Sequence, residues 1–380
     1  MKQRLFVILF TMLLLPMDFL AQSYNALWKQ VEEAEIRDLP QSAITALQQI
    51  ETKARKEKAY GQLLRATLLH ARKQSEIAPD SLLPAVKRLE QQEQQAADDV
   101  LRMVYDAVLA KLYADNHQLA DDWQTRQQDY YQRATAQPDL LAAVKADTYM
   151  PFVVKGKDSG LYGHDLLSVV GSELGAWQWL SDYYARHGNR AAACLTALSH
   201  LMTQEKAYNE SLARSGYVGR LDSLLAVYGD LPEAGEIAIE RYRYMSNHTD
   251  ATPADKAAWL KQALERWASW QRANELRESW ASLTNPSYQV RADVRVAEPN
   301  KAQTVRLEGL RHLNSLTMHV YRTALTGDTN INPNVERDYQ KVKGSLKEMK
   351  DMERTLTFSG HEDYDVFEDS LQISVLPAGV

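Results

Sequence analysis

The sequence predicts a mainly α-helical chain, an array of helical hairpins followed by a C-terminal antiparallel β-sandwich. Three observations predict it. Between Ser23 and Leu283 apolar residues recur at steps of three and four, as in Val100, Leu101, Val104, Tyr105, Val108, Leu109 and Leu112, the spacing of one helix face. Short turn signals punctuate these runs: Leu39-Pro40, Pro79-Asp80-Ser81, Pro138-Asp139, Gly188-Asn189 and Gly229-Asp230. Near Asn285-Pro286 the period drops to two, the repeat of a half-buried strand. The expected organisation is an export signal over 1–21, a helical-hairpin region over 22–285 and a β-sandwich over 286–380.

The N-terminal segment reads as a signal peptide. Lys2 and Arg4 precede an apolar run from Leu5 to Leu15, which is too short for a comfortable bilayer span and is broken by Pro16 and Asp18. Ala21-Gln22 is a plausible cleavage junction, with a small residue in the last position. No cysteine follows the apolar core, so a lipid on a processed N-terminal cysteine is excluded. The rest of the chain holds no apolar run of spanning length, and an exported product of periplasm, cell surface or medium is expected with no stable membrane span.

Within the helical region the punctuation repeats. Asp38-Leu39-Pro40-Gln41-Ser42 and Asp230-Leu231-Pro232-Glu233-Ala234 are near copies, each expected to open a helix with proline in the first turn, where its missing N–H costs little. Leu180, Tyr184, Gly188, Asn189, Ala193 and Ala197 resemble the degenerate tetratricopeptide pattern, a helix hairpin of about 34 residues in which small side chains allow close approach. The match is weak in the other hairpins, so the array is tetratricopeptide-like rather than regular. All eight tryptophans (28, 123, 177, 179, 259, 267, 270 and 280) fall in this region. They are expected to fill space between stacked hairpins rather than to line a peptide groove.

Composition narrows the function classes. The chain has 380 residues, 45% hydrophobic and 25% charged, with 44 Lys and Arg against 50 Asp and Glu for a net charge of −6. That balance gives no basic face for nucleic acid. A lone cysteine, Cys194, excludes an internal disulfide framework and every multi-cysteine metal site; it is expected as a small buried residue on a helix. Metalloprotease, nucleophile-elbow, phosphate-loop and dinucleotide signatures are all absent. No catalytic, cofactor-binding or metal-ligating residue is therefore assigned, and no cofactor is expected. The glycine-bearing stretch Pro151–Asp165 has no helical period and reads as a long connecting loop; Ser159 and His164 within it have no third partner in view. Asn209-Glu210-Ser211 and Asn247-His248-Thr249 fit the glycan acceptor pattern.

In the C-terminal region Tyr288, Val290, Ala292, Val294 and Val296 alternate with Gln289, Arg291, Asp293 and Arg295. Glu298-Pro299-Asn300 is a turn, followed by Val305 and Leu307. Leu316, Met318 and Val320 alternate again. The stretch Gly327–Gly344 reads as a polar, turn-rich excursion, and Thr355–Phe358 and Leu371–Val375 as later strands. Short strands without long helices point to an antiparallel sandwich. His361-Glu362-Asp363-Tyr364-Asp365 with Glu368 and Asp369 reads as a solvated acidic loop rather than a calcium site, because no EF-hand spacing is present. Leu376-Pro377-Ala378-Gly379-Val380 places a turn before what would be a closing strand, so a sandwich truncated at its last strand is expected.

Three stretches together resemble the N-terminal part of bacterial alpha-2-macroglobulin-family proteins of the large exported Bacteroidetes kind. They are Ala21–Glu32 running on to Asp38-Leu39-Pro40-Gln41; Val154-Lys155-Gly156-Lys157-Asp158-Ser159 with Asp165-Leu166-Leu167; and Arg291 to the end, with His361–Tyr364, Phe367–Leu371 and the closing Leu376–Val380, which resembles the Pro-x-Gly-Val-Tyr ending of a macroglobulin-type sandwich. The resemblance implies a protease trap, in which a cleavable bait segment springs a conformational change and, in many members, a cysteine–glutamine thioester captures the attacker. Cys194 is followed by Leu195-Thr196-Ala197 and does not match the thioester pattern Cys-x-Glu-Gln. The resemblance thus implies proteases as partners through regions beyond Val380, and a non-catalytic scaffold or docking role here. A stand-alone exported adaptor that binds a peptide or envelope protein is the alternative, and an enzyme is not expected.

Overall fold

The computed structural model describes residues 23–210, 216–292, 301–323, 332, 335–361 and 363–373. The expected export segment, Val294 and Val296, the Glu298-Pro299-Asn300 turn and the closing 376–380 stretch lie outside the described residues. Among the described residues the chain is mainly helical, with its named antiparallel strands in the C-terminal part. It divides into two compact units, Met1–Ser215 and Gly216–Val380. The boundary between them falls inside the helical region, whereas the change from helix to strand, between Thr284 and Ser287, falls inside the second unit.

The first unit opens with three helices joined by tight turns: α1 (Tyr24–Ile36), α2 (Pro40–Glu57) and α3 (Tyr60–Ile77). Ser23 caps α1 by accepting the Ala26 N–H at 3.3 Å, and Pro40 starts α2 as its sequence implied. Leu27 and Val31 of α1 close onto Ala46, Leu47 and Ile50 of α2 and Ala66 of α3, all buried. Next come α4 (Leu82–Gln94), α5 (Asp99–Asp115), α6 (Trp123–Ala134) and the short α7 (Pro138–Ala143). Asp98 caps α5 by accepting the Leu101 N–H at 2.8 Å. The apolar stripe expected on α5 is present, but Met103, Ala107, Ala110 and Tyr113 are buried as well. The helix is therefore covered on more than the one face that its periodicity marked.

The unit ends with α8 (Leu166–Glu173), α9 (Trp177–Arg186) and α10 (Arg190–Glu210). The α9–α10 hairpin turns at Gly188, whose φ of +77° is the left-handed conformation that glycine adopts without a Cβ clash. Leu180, Tyr184 and Ala193 are buried between neighbouring helices, and Cys194 beside them is wholly enclosed.

The second unit begins with α11 (Tyr217–Tyr228), α12 (Ala234–His248), α13 (Pro253–Trp267) and α14 (Asn274–Thr284). Thr252 and Asp255 form a reciprocal capping box at the start of α13. Pro232 departs from its expected place. It lies in the turn ahead of α12, where i→i+3 bonds from Ala234 to Leu231 and from Gly235 to Pro232 lead the chain into the helix. Two of the eight tryptophans, Trp267 and Trp270, are buried; the others are only partly covered. Two of the partly covered ones carry a guanidinium, Arg65 on Trp28 and Arg241 on Trp259.

Two small antiparallel sheets follow. One has the order β1 (Ser287–Ala292), β2 (Gln303–Arg311), β5 (Phe367–Ile373); the other pairs β3 (Ser315–Thr323) with β4 (Leu346–Thr357). Register places Val290 opposite Leu307, and Val305 opposite Leu371, so one face of the first sheet is largely apolar, with Asp369 opposite Leu307 at its margin. The opposite face carries Arg291 and Glu308, paired at 3.3 Å. On β3, Leu316 and Met318 are half-buried while Thr317 and His319 are exposed, as their alternation implied. The excursion Gly327–Gly344 is not turn-rich throughout: α15 (Glu336–Ser345) occupies its described part. Glu336 and Asp338 in its first turn and Lys343 in its last complement the helix dipole, and Gln340 donates to Glu336 one turn away at 2.7 Å.

Candidate functional site

The most site-like feature of the first unit is built around the loop between α7 and α8. The loop leaves and re-enters at one point. Lys145 and Asp165 form an antiparallel bridge, the Ala146 N–H donates to the His164 carbonyl and the Leu166 N–H to the Val144 carbonyl, both at 2.9 Å. A loop of this length with its ends pinned together is a compact surface module rather than a loose connection. Lys145 Nζ donates to the Gly163 carbonyl at 2.6 Å, and Asn189 Nδ2, at the α9–α10 turn, donates to the Leu161 carbonyl at 2.8 Å.

Asp165 ties this base together. Its Oδ1 accepts the Ser168 N–H at 2.8 Å, capping α8, and the Tyr184 hydroxyl lies 3.0 and 2.8 Å from its two oxygens. Burial pushes the Asp165 carboxyl above its usual range, against the hydrogen bonds from Ser168 and Tyr184. The Tyr184 hydroxyl is pushed up in turn by burial and by the Asp165 carboxylate. At the other end of the loop the chain passes directly over α3. A Cβ on Gly61 would sit 2.3 Å from the Tyr149 carbonyl oxygen, so only glycine permits this approach.

The pinned loop forms one wall of an apolar groove of about 480 Å³, and α5 and α8 form the others. Phe152 and Val154 of the loop face Val104, Val108 and Leu112 of α5 and Val169 of α8 across it. Val154 is 83% exposed, a large apolar side chain held in solvent at the groove's edge. The polar rim consists of Lys111, paired with Asp115 at 3.4 Å, and Glu173. An apolar floor with a few charges at its margin suits a peptide or a small apolar ligand.

A second, polar hollow runs along α6, lined by Asp122, Arg126, Tyr130 and Arg133. Its residues are already engaged. Glu90 of α4 accepts from the Tyr113 hydroxyl at 2.8 Å and the Tyr130 hydroxyl at 3.1 Å, with Arg126 3.6 Å away.

Residues singled out in the sequence are distributed as follows. Ser159 and His164 meet through their backbones, the His164 N–H donating to the Ser159 carbonyl at 2.8 Å. In the acidic stretch after β4, the His361 ring stacks on Phe367 at 3.6 Å and the Asp369 carboxylate accepts the Ser370 N–H at 2.7 Å. Among the described residues no three His, Cys, Asp or Glu side chains are grouped so as to hold a metal ion. No described helix is long and apolar enough to cross a membrane. The groove was not marked by any motif; its one local signal was the apolar pair Val153-Val154 inside a glycine-bearing loop. No family model matches the chain, and no curated protein or solved structure matches it either.

Proposed function

We propose that this chain is a non-catalytic docking and scaffold region of an exported protease-trapping protein of the alpha-2-macroglobulin type. In this reading the hairpins are tetratricopeptide-like and the two antiparallel sheets belong to a macroglobulin-like sandwich. The observation that carries the proposal is the order of parts in one chain: helical hairpins bearing an open apolar groove, followed by antiparallel strands with one apolar face. The resemblance of the mature start, the Val154–Ser159 loop and the Arg291-to-end region to that family supports the same order.

The test is a trapping assay on the full-length protein. A trapped protease keeps its activity on a short peptide and loses it on a large protein substrate. Equal activity on both substrates after bait cleavage would remove the inhibitor assignment. The groove also favours a second reading, a stand-alone exported adaptor for an apolar peptide segment, because its walls need no other part of a trap. Peptide binding at the groove in a protein that leaves every protease untouched is the outcome expected of an adaptor.

A further inference from the structure

The junction of α4, α5 and α6 holds two acids that share one cation. Asp106 of α5 is 2% exposed and Glu93 of α4 is 3% exposed. Arg133 of α6 reaches both, with Nη2 2.8 Å from Asp106 Oδ1 and Nη1 3.6 Å from Glu93 Oε1. Asp106 Oδ1 is buried and has no well-formed hydrogen bond. The two carboxyl groups are buried while the Arg133 side chain is 48% exposed, so two acids face one solvent-screened guanidinium, an arrangement that favours holding a proton on the buried side.

The surroundings do not supply the missing charge. On α5 itself Arg102 pulls weakly on Asp106 but is paired with Asp99 at 2.7 Å. On α6 Arg133 also stacks over Tyr130 at 4.4 Å, and Arg126 is held by Asp122 at 2.9 Å and faces Glu90 at 3.6 Å. On α4 Glu90 is occupied by the Tyr113 and Tyr130 hydroxyls. On α7 Asp139 accepts from Tyr183, on α8 Glu173 lies at the groove rim, and His117, after α5, stacks on Trp123.

We infer that the Glu93–Asp106–Arg133 cluster is a proton-operated latch that holds α6 against α4 and α5 in acid and releases it as the pH rises. Burial pushes the Asp106 carboxyl up to about 7, with Glu93 adding to the shift and Arg133 and Arg102 opposing it. When α6 lifts away, the carboxyl is hydrated and returns toward the ordinary value near ~4. Closing therefore takes up a proton. The open population grows as the pH climbs from the ordinary carboxylate range and levels off once Asp106 is ionised in the closed state as well.

The test is amide hydrogen exchange on the full chain at pH 5 and pH 7, corrected for the intrinsic pH dependence of exchange. Opening of α6 is expected to rise about tenfold or more relative to α2 between the two values. In Asp106→Asn, whose amide stays neutral, that rise is expected to vanish. A rise shared equally by α2, or one that persists in Asp106→Asn, overturns the inference. Should the variant fail to fold, the carboxyl ¹³C shift of Asp106 in the unaltered protein decides: a neutral acid at pH 5 supports the latch, and a carboxylate there removes it.

Discussion

Helix α5 carries an apolar stripe at steps of three and four and strand β1 alternates apolar with polar residues, yet these two one-sided patterns end in opposite environments. On α5, Leu101, Val104, Tyr105 and Leu109 are sealed, and the helix is covered on further sides by α4, α6 and α8. On β1, Tyr288 and Val290 lie on the apolar face of the sheet and remain 53% and 59% exposed. Neighbouring helices joined by short turns bring a second and third helix to the apolar stripe of α5. A strand at the edge of a three-stranded sheet has a partner on one side only, and its apolar face waits for whatever layer is laid across it.

The largest expected contrast is therefore between a buried hairpin residue and an edge-strand residue. Trp267 is 1% exposed, donates its indole N–H to the Gly229 carbonyl at 3.0 Å and carries Arg266 on its ring. Trp267→Ala should cost about 3–5 kcal/mol, through the cavity and the orphaned carbonyl together. Urea unfolding followed by far-ultraviolet circular dichroism would measure it, and a loss below ~1 kcal/mol would break the contrast from the helical side.

A smaller effect is expected at the approach of the pinned loop to α3. Gly61→Ala places a methyl group against the backbone at Tyr149 and Met150, which cannot rotate away as a side chain could. A loss of about 1–3 kcal/mol in the same measurement is expected.

The base of the loop comes next. Tyr184→Phe removes the hydroxyl that Asp165 accepts and should cost about 1–2 kcal/mol of local stability. Because every 1.4 kcal/mol is a factor of about ten, tryptic cleavage after the exposed Lys155 and Lys157 should accelerate roughly tenfold. An unchanged cleavage rate would mean that the loop is held by its backbone bonds alone.

The smallest change should come from β1 itself. Val290→Ser on the uncovered apolar face is expected to shift stability by no more than about 0.5 kcal/mol in the isolated chain. A loss several times larger would show that the face is covered in solution, and would erase the difference between the two regions.

Much of the fold was legible because its signals are local. Pro40 and Gly188 mark where helices begin and hairpins turn, and the switch of period after Asn285 marks where strands begin. Other features depended on partners distant in sequence. Asp106 stands among apolar neighbours in α5, and nothing near it announces Arg133, which closes the cluster from another helix. The groove joins Val104 and Val108 to Phe152, Val154 and Val169, residues that share no pattern until the loop is pinned at Lys145 and Asp165. Alternation in β1 identified its apolar side correctly but carried no information on coverage, since Tyr288 and Val290 read the same whether or not a layer lies over them. The helix at Glu336–Ser345 was concealed by its polarity, because its support comes from end charges and an i,i+4 pair rather than an apolar stripe.

Binding of a fluorescein-labelled, leucine-rich peptide to the full chain, followed by anisotropy, tests most directly whether this region works by contact at the groove. Binding to the unaltered chain is expected, and Val154→Asp, which sets a charge at the exposed lip without entering the core, should weaken it at least about tenfold. Equal affinity for both proteins, or no binding to either, would contradict the account.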